Sequence, residues 1–167
     1  MAPLSYALDD VRDRARGAFL GVAVGDALGA TVEFMTPREI LAAHGVHAEV
    51  IGGGWLPLAP GAVTDDTEMS LCAARAIVAA GHFEARGVAD ALVAWLRTLP
   101  LDVGNTCRRG LRRYMVDGTL ERPPSQGEAG NGAAMRIVRD PPPLAAPPRR
   151  RGLAARARRS SCSVARI

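Results

Sequence analysis

Gly61-Ala62-Val63-Thr64-Asp65-Asp66-Thr67-Glu68-Met69-Ser70 puts three carboxylates and two threonine hydroxyls within five residues, just ahead of an apolar-periodic run. From Met69 the apolar residues recur at Cys72, Ala73, Ala76, Ile77 and Ala80, the one-sided stripe of an amphipathic helix. The acidic cluster therefore falls at the helix N-terminus, where unpaired backbone N–H groups and the helix dipole favour negative charge. Carboxylates held there stay ionised, and an oxygen-only ligand set suits a hard cation such as Mg²⁺ or Mn²⁺. A capping box explains part of the same pattern, with Asp65 as N-cap and Glu68 three residues later. Two adjacent Asp flanked by Thr on both sides exceed what a cap requires, so the neighbouring segments have to decide.

Composition points to helices. The chain has 167 residues, enough for one core-bearing domain, with 48% hydrophobic but only 4% aromatic residues. That balance favours Ala/Leu/Val helices over a β-sandwich. The net charge of +4 is unevenly spread: residues 1–138 hold 13 Arg against 16 Asp and Glu, and residues 139–167 hold 8 Arg against Asp140 alone. All 21 basic residues are Arg, which a GC-rich coding sequence explains most simply. Cys72, Cys107 and Cys162 are scattered and odd in number, so a reduced, cytoplasmic setting is expected rather than a disulfide framework. Residues 1–10 lack the basic and apolar regions of a signal peptide, and no apolar run approaches the ~18 residues of a membrane span.

Working outward, a first helix is expected from Asp9 or Asp10 through Gly25. Gly17, Gly21, Gly25 and Gly29 recur every four residues along it, each costing about 1 kcal/mol against Ala in a helix interior. On one face they would let a second helix, or a ligand, come unusually close. Asp26 and Glu33 follow, and a lone acidic residue at either place reads first as a solvated group. Pro37-Arg38-Glu39 reads as a short helix start, Gly52-Gly53-Gly54-Trp55 as a flexible turn. Another helix is expected from Glu84, with Val88, Ala91, Leu92, Trp95, Leu96 and Leu99 on one face and Pro100 as its stop. In Leu101–Thr106, Asn105 or Thr106 can cap a helix whose apolar side carries Cys107, Leu111 and Tyr114. Arg108, Arg109, Arg112 and Arg113 would face outward, a solvated flank rather than a nucleic-acid surface. Gly130-Asn131-Gly132-Ala133-Ala134-Met135-Arg136 makes a compact polar loop suited to sugar or phosphate.

In order along the chain, Gly17–Phe34, Val63–Met69, Asp102–Gly110 and Gly130–Arg136 resemble the motifs of the ADP-ribosylglycohydrolase family over residues 11–136. The resemblance implies an all-helical fold around a pair of divalent cations, Mg²⁺ or Mn²⁺. It also implies hydrolysis of the N-glycosidic bond between ADP-ribose and a modified arginine on a protein, with dinitrogenase reductase the indicated partner. Residue by residue, the match gives Thr64, Asp65 and Asp66 as metal ligands and Glu33 as an acidic group near the metals and the scissile bond. Asp102 and Asn105 match substrate-lining positions, Asp102 as a candidate to manage protons. Gly130, Asn131, Gly132 and Met135 match the loop that lines the ADP-ribose pocket. Nearby carboxylates would help an oxocarbenium-like transition state.

The likeness stops after Arg136. The family's second half, with the remaining metal ligands in a Gly-Asp-x-Asp-Thr motif, has no counterpart here. Residues 141–148 instead hold five of the twelve prolines, and Arg, Ala and Ser run on to Ile167. The expected boundary lies at 138, between an incomplete helical domain and a disordered basic tail at 139–167. GC-rich DNA read out of frame gives this composition; a genuine basic tail that contacts acidic partners is the other explanation. Two functions follow: a hydrolase, or a non-catalytic remnant that binds ADP-ribose or metal weakly.

Overall fold

The computed structural model describes residues 8–121 together with Gly132, Met135 and Arg136. The tail at 139–167, and with it the boundary at 138, lies outside the described residues. Five helices follow one another: α1 (Leu8–Gly29), α2 (Pro37–His44), α3 (Asp65–Ala80), α4 (Ala85–Arg97) and α5 (Asn105–Asp117). Apart from one antiparallel bridge between Gly53 and Leu58, the described residues contain no β pairing. The all-helical expectation holds.

Local chemistry sets the helix ends. α2 carries a complete capping box: the Thr36 hydroxyl accepts from the Glu39 N–H, and the Glu39 carboxylate accepts from the Thr36 N–H at 2.7 Å. The Thr36-Pro37-Arg38-Glu39 spacing carries this cap in addition to the Pro at the helix start. α4 is capped by Glu84, whose carboxylate accepts from the N–H groups of Arg86 and Gly87. Gly81 and Gly118 end α3 and α5 in left-handed conformation. Three expectations need correction. The N-cap of α5 is Gly104, and Asn105 begins the helix proper. Leu99 is not on the apolar face of α4, because the helix ends at Arg97 and Leu99 turns out at φ 59°, 87% exposed. The α3 cap is likewise not Asp65, as its site geometry shows below.

The core sits where α3 packs on α4 and α4 on α5. Met69 and Ala73 of α3 meet Val88, Leu92, Val93 and Trp95 of α4, with Cys107 and Leu111 of α5 closing the far side. Met69, Leu92 and Leu111 are the largest fully buried side chains. The stripe spacing on these helices thus does what the periodicity requires. Arg109, Arg112 and Arg113 are exposed on the opposite face of α5, and Arg108 is half-buried.

α1 behaves differently. Near its C-terminal end Asp26 reaches α3 at Thr67, whereas Arg12 to Ala18 are exposed. Among the described residues nothing lies within 4 Å of where a Cβ would stand on Gly17, Gly21, Gly25 or Gly29. Close packing of a second helix on that stripe is therefore absent among the described residues. The triple glycine is not the flexible connector expected either. The Gly53–Leu58 bridge ties the loop across itself, and the Thr31 hydroxyl donates to the Gly52 carbonyl at 2.9 Å. Gly54, at φ 77°, passes so close to the Ala30 carbonyl that any side chain would collide with it. The loop is thereby pinned to the end of α1.

Candidate active site

The first turn of α3 is held from outside. Asp26 of α1 accepts four hydrogen bonds, from the Thr64 N–H (2.9 Å) and hydroxyl (2.7 Å) and from the Thr67 N–H (3.1 Å) and hydroxyl (2.5 Å). Thr64 is the N-cap by position yet makes no side-chain cap bond. Asp26 thus supplies both halves of a capping box, satisfying the N-cap and N3 amides with one carboxylate. Glu68, the expected capping partner, instead accepts from the Trp95 indole N–H at 2.7 Å. The capping-box reading of Asp65 and Glu68 is overturned, because the helix is capped one residue earlier at Thr64, the Glu68 N–H donates to the Thr64 carbonyl, and the Glu68 side chain is engaged by Trp95. Asp26 is thus a four-fold acceptor and not the solvated group that a lone acidic residue at its position suggests.

With the cap supplied by α1, the α3 acids are released for another use. Asp65 is only 8% exposed, and its carboxylate accepts from the Gly104 N–H at 2.9 Å. That bond brings the loop ahead of α5, and with it Asp102, against the start of α3. Thr64, Asp65, Glu68 and Asp102 line one open recess together with Leu56, Val63 and Leu101. Burial pushes the Asp102 carboxyl above its ordinary range, and the negative charges of Asp65 and Glu33 push it the same way; the Val103 N–H and Arg108 work against them. Glu33 is exposed and accepts from the Trp55 indole N–H at 2.7 Å. Three carboxylates from three segments therefore share one local field.

The remaining predicted residues are more dispersed. Asp66 is half-buried beside Asp65, and Asn105 is exposed at the first position of α5. Gly132 lies against the Cys107 thiol, where a Cβ would overlap the sulfur. Met135 is buried in the core, and its carbonyl accepts from the Ser70 hydroxyl at 2.9 Å. This anchors the end of the Gly130–Arg136 motif on α3 and α5, with the Met135 side chain among core residues and not along the recess. Gly130 and Asn131 lie outside the described residues.

Thr64, Asp65 and Asp66 present hydroxyl and carboxylate oxygen only, which fits a hard divalent cation in ligand type. Among the described residues no three acidic, imidazole or thiol groups converge closely enough to hold a metal by themselves. The donor set is right in kind and incomplete in number.

Comparison with known proteins places this arrangement. The family model for ADP-ribosylglycohydrolase matches residues 7–167, running past Arg136 into the Arg- and Pro-rich stretch. The chain is 60% identical over 128 residues to an ADP-ribosyl-[dinitrogen reductase] glycohydrolase of Rhodospirillum rubrum, covering 77% of this chain and 44% of that protein. It is 38% identical over 132 residues to the ADP-ribosylarginine hydrolase Tri1 of Serratia proteamaculans, covering 74% of this chain and 35% of the relative. The solved structure of an ADP-ribosylglycohydrolase-related protein complex superposes with a TM-score of 0.61 at 34% identity, over 94% of this chain and 50% of the other. The chain spans about half the length of the relatives it matches, or less. With the family model matched over residues 7–167 of its 167, the chain belongs to the ADP-ribosylglycohydrolase family.

Proposed function

We propose that this chain supplies one half of the active site of a hydrolase that removes ADP-ribose from modified arginine on a protein. The observation that carries the reading is the Gly104 N–H to Asp65 bond, which sets Asp102 beside the first turn of α3. The activities in the names of the Rhodospirillum and Serratia relatives support the same chemistry, and the former makes dinitrogenase reductase the protein substrate we propose.

In this reading Thr64, Asp65 and Asp66 would hold a hard cation of a two-cation Mg²⁺ or Mn²⁺ site, whose other ligands come from water and from groups beyond the described residues. Such a cation supplies Lewis acidity toward ribose hydroxyls and an attacking water. Asp26 orients the Thr64 hydroxyl by accepting its hydrogen bond, so that the oxygen lone pairs are left for the recess. Asp102, its affinity for a proton raised by burial and by two neighbouring carboxylates, takes or returns the proton as the glycosidic bond breaks. Positive charge developing at the anomeric carbon is favoured by the shared field of Glu33, Asp65 and Asp102. Gly130 to Gly132 and Asn105 remain proposed ADP-ribose contacts. The boundary at 138 and a cytoplasmic setting also belong to this proposal, the latter supported by the unpaired thiols of Cys72 and Cys107.

The test is release of ADP-ribose from ADP-ribosyl-arginine with Mn²⁺ present. In a form of the protein that also carries the second half of the site, Asp65→Ala is expected to abolish release while the far-ultraviolet spectrum stays helical; near-normal turnover would reduce the cluster to a structural cap. A second reading, a weak binder without catalysis, is favoured by the incomplete donor set among the described residues. It predicts ADP-ribose binding without turnover in the parent chain.

A further inference from the structure

Phe34 and Trp55 are 79% and 51% exposed, and their rings meet edge to face with centroids 5.4 Å apart. Large aromatics normally bury their faces, so a mutually supported pair standing in water calls for a ligand. Phe34 is held there at a cost. Phe34 adopts φ 64°, a left-handed conformation unfavourable for a bulky residue, and Trp55 projects from the loop that Gly54 pins to the end of α1. The Trp55 indole N–H is turned onto the Glu33 carboxylate at 2.7 Å. Indole, phenyl ring and carboxylate thus stand together beside the recess where Asp65 and Asp102 lie.

The chemistry of this group selects its ligand. A planar cation can stack on an aromatic face while its N–H groups reach a carboxylate, and a guanidinium does both at once. A neutral nucleotide base could donate to Glu33 as well, but it lacks the positive charge that the shared field of Glu33, Asp65 and Asp102 favours. We propose that Phe34, Trp55 and Glu33 form a guanidinium-binding lip that receives the arginine side chain of the substrate, leaving the adenine to be held elsewhere. This rests on the reading of the site as an ADP-ribosyl-arginine hydrolase and assigns recognition of its leaving group.

The chain has two tryptophans, so its ¹⁵N-labelled form shows two indole N–H resonances, one from exposed Trp55 and one from buried Trp95. Agmatine, cadaverine and AMP serve as probes for guanidinium, a simple diamine of similar length and a nucleotide. Agmatine is expected to shift the Trp55 resonance saturably, leave Trp95 in place and bind at least about three-fold more tightly than cadaverine. Phe34→Ala and Glu33→Gln should each weaken agmatine by about three-fold or more. Equal affinity for the two amines, a Trp55 shift with AMP, or no shift with agmatine would each overturn the lip. The readout does not depend on turnover. Agmatine binding without hydrolysis would defeat the proposed function and leave the lip standing. Hydrolysis with unchanged KM in Phe34→Ala would do the reverse.

Discussion

Asp102 is asked to do two things that compete. Held near Asp65 and Glu33 in a partly dehydrated place, it keeps its proton more readily than an ordinary carboxyl, which suits a group that takes and returns one. The same surroundings make its charged form a liability for the fold. Because the folded pKa lies above the unfolded one, Asp102 costs no stability at low pH, where both states are protonated. The cost grows as pH rises through the ordinary carboxyl range toward the folded value, and is constant above it. Asp102→Asn is therefore expected to raise the melting temperature at pH 7, with the gain vanishing as pH falls below the ordinary carboxyl range. The same variant should lose turnover on ADP-ribosyl-arginine while its Mn²⁺ affinity, by calorimetry, stays within a few-fold of the parent. A melting temperature unmoved at every pH would mean that the three carboxylates do not share a field. Loss of Mn²⁺ binding would make Asp102 a ligand.

At the scale of the element, α3 owes its start to α1. Four hydrogen bonds end on Asp26, two of them from amides that no group in α3 satisfies. Asp26→Ala leaves those amides and two hydroxyls without their partner at the mouth of the recess. The expected cost is about 2 kcal/mol or more, read as a lower urea midpoint at unchanged slope. Thr67→Val, which removes one hydroxyl and keeps the amide bond, should cost less than Asp26→Ala. Equal costs would shift the weight from the backbone cap to the Thr67 hydroxyl. This dependence also shows what the sequence could yield. The stripes Met69–Ala73 and Val88–Trp95 were legible because each helix advertises its own buried face every third or fourth residue. The acidic start of α3 stands out in the sequence because it holds more charge than a cap can use. Asp26 does not, since a lone carboxylate 38 residues from its partner has no local pattern. Nor does the rigidity of the Gly52–Gly54 loop, because glycine runs look alike whether they are loose or closely packed. Leu99 was misplaced for a related reason: periodicity says which face a residue would occupy, not where the helix stops.

At the scale of the whole molecule, the packing is lopsided. The α3–α4–α5 side holds Met69, Leu92 and Leu111 out of water, whereas Leu20 and Val24 on α1 are 65% and 57% exposed. They lie four residues apart, beside the glycines that meet nothing within 4 Å, so one broad face of α1 is apolar, smooth and open among the described residues. Toward its start the helix is supported by i,i+3 pairs of Asp9 with Arg12 and Asp13 with Arg16, at 3.5 and 3.6 Å and highly exposed. Exposed pairs of this kind contribute little, and a helix without tertiary packing is marginal in water. Amides of residues 10–18 should accordingly exchange with solvent orders of magnitude faster than those around Leu92 and Leu111. The open face should also find itself. An apolar helix surface with no side chains at its glycines lets a second copy approach closely, and sedimentation should show mass rising with concentration. Leu20→Glu with Val24→Glu places two like charges on that face while removing no buried contact, so the urea midpoint should move by less than about 0.5 kcal/mol equivalent. The same pair should return the chain to monomer at concentrations where the parent associates. If the parent is monomeric throughout, α1 does not present a sticky surface. If the double variant unfolds the chain, the face is packed in solution and the exposure of Leu20 and Val24 has been misread.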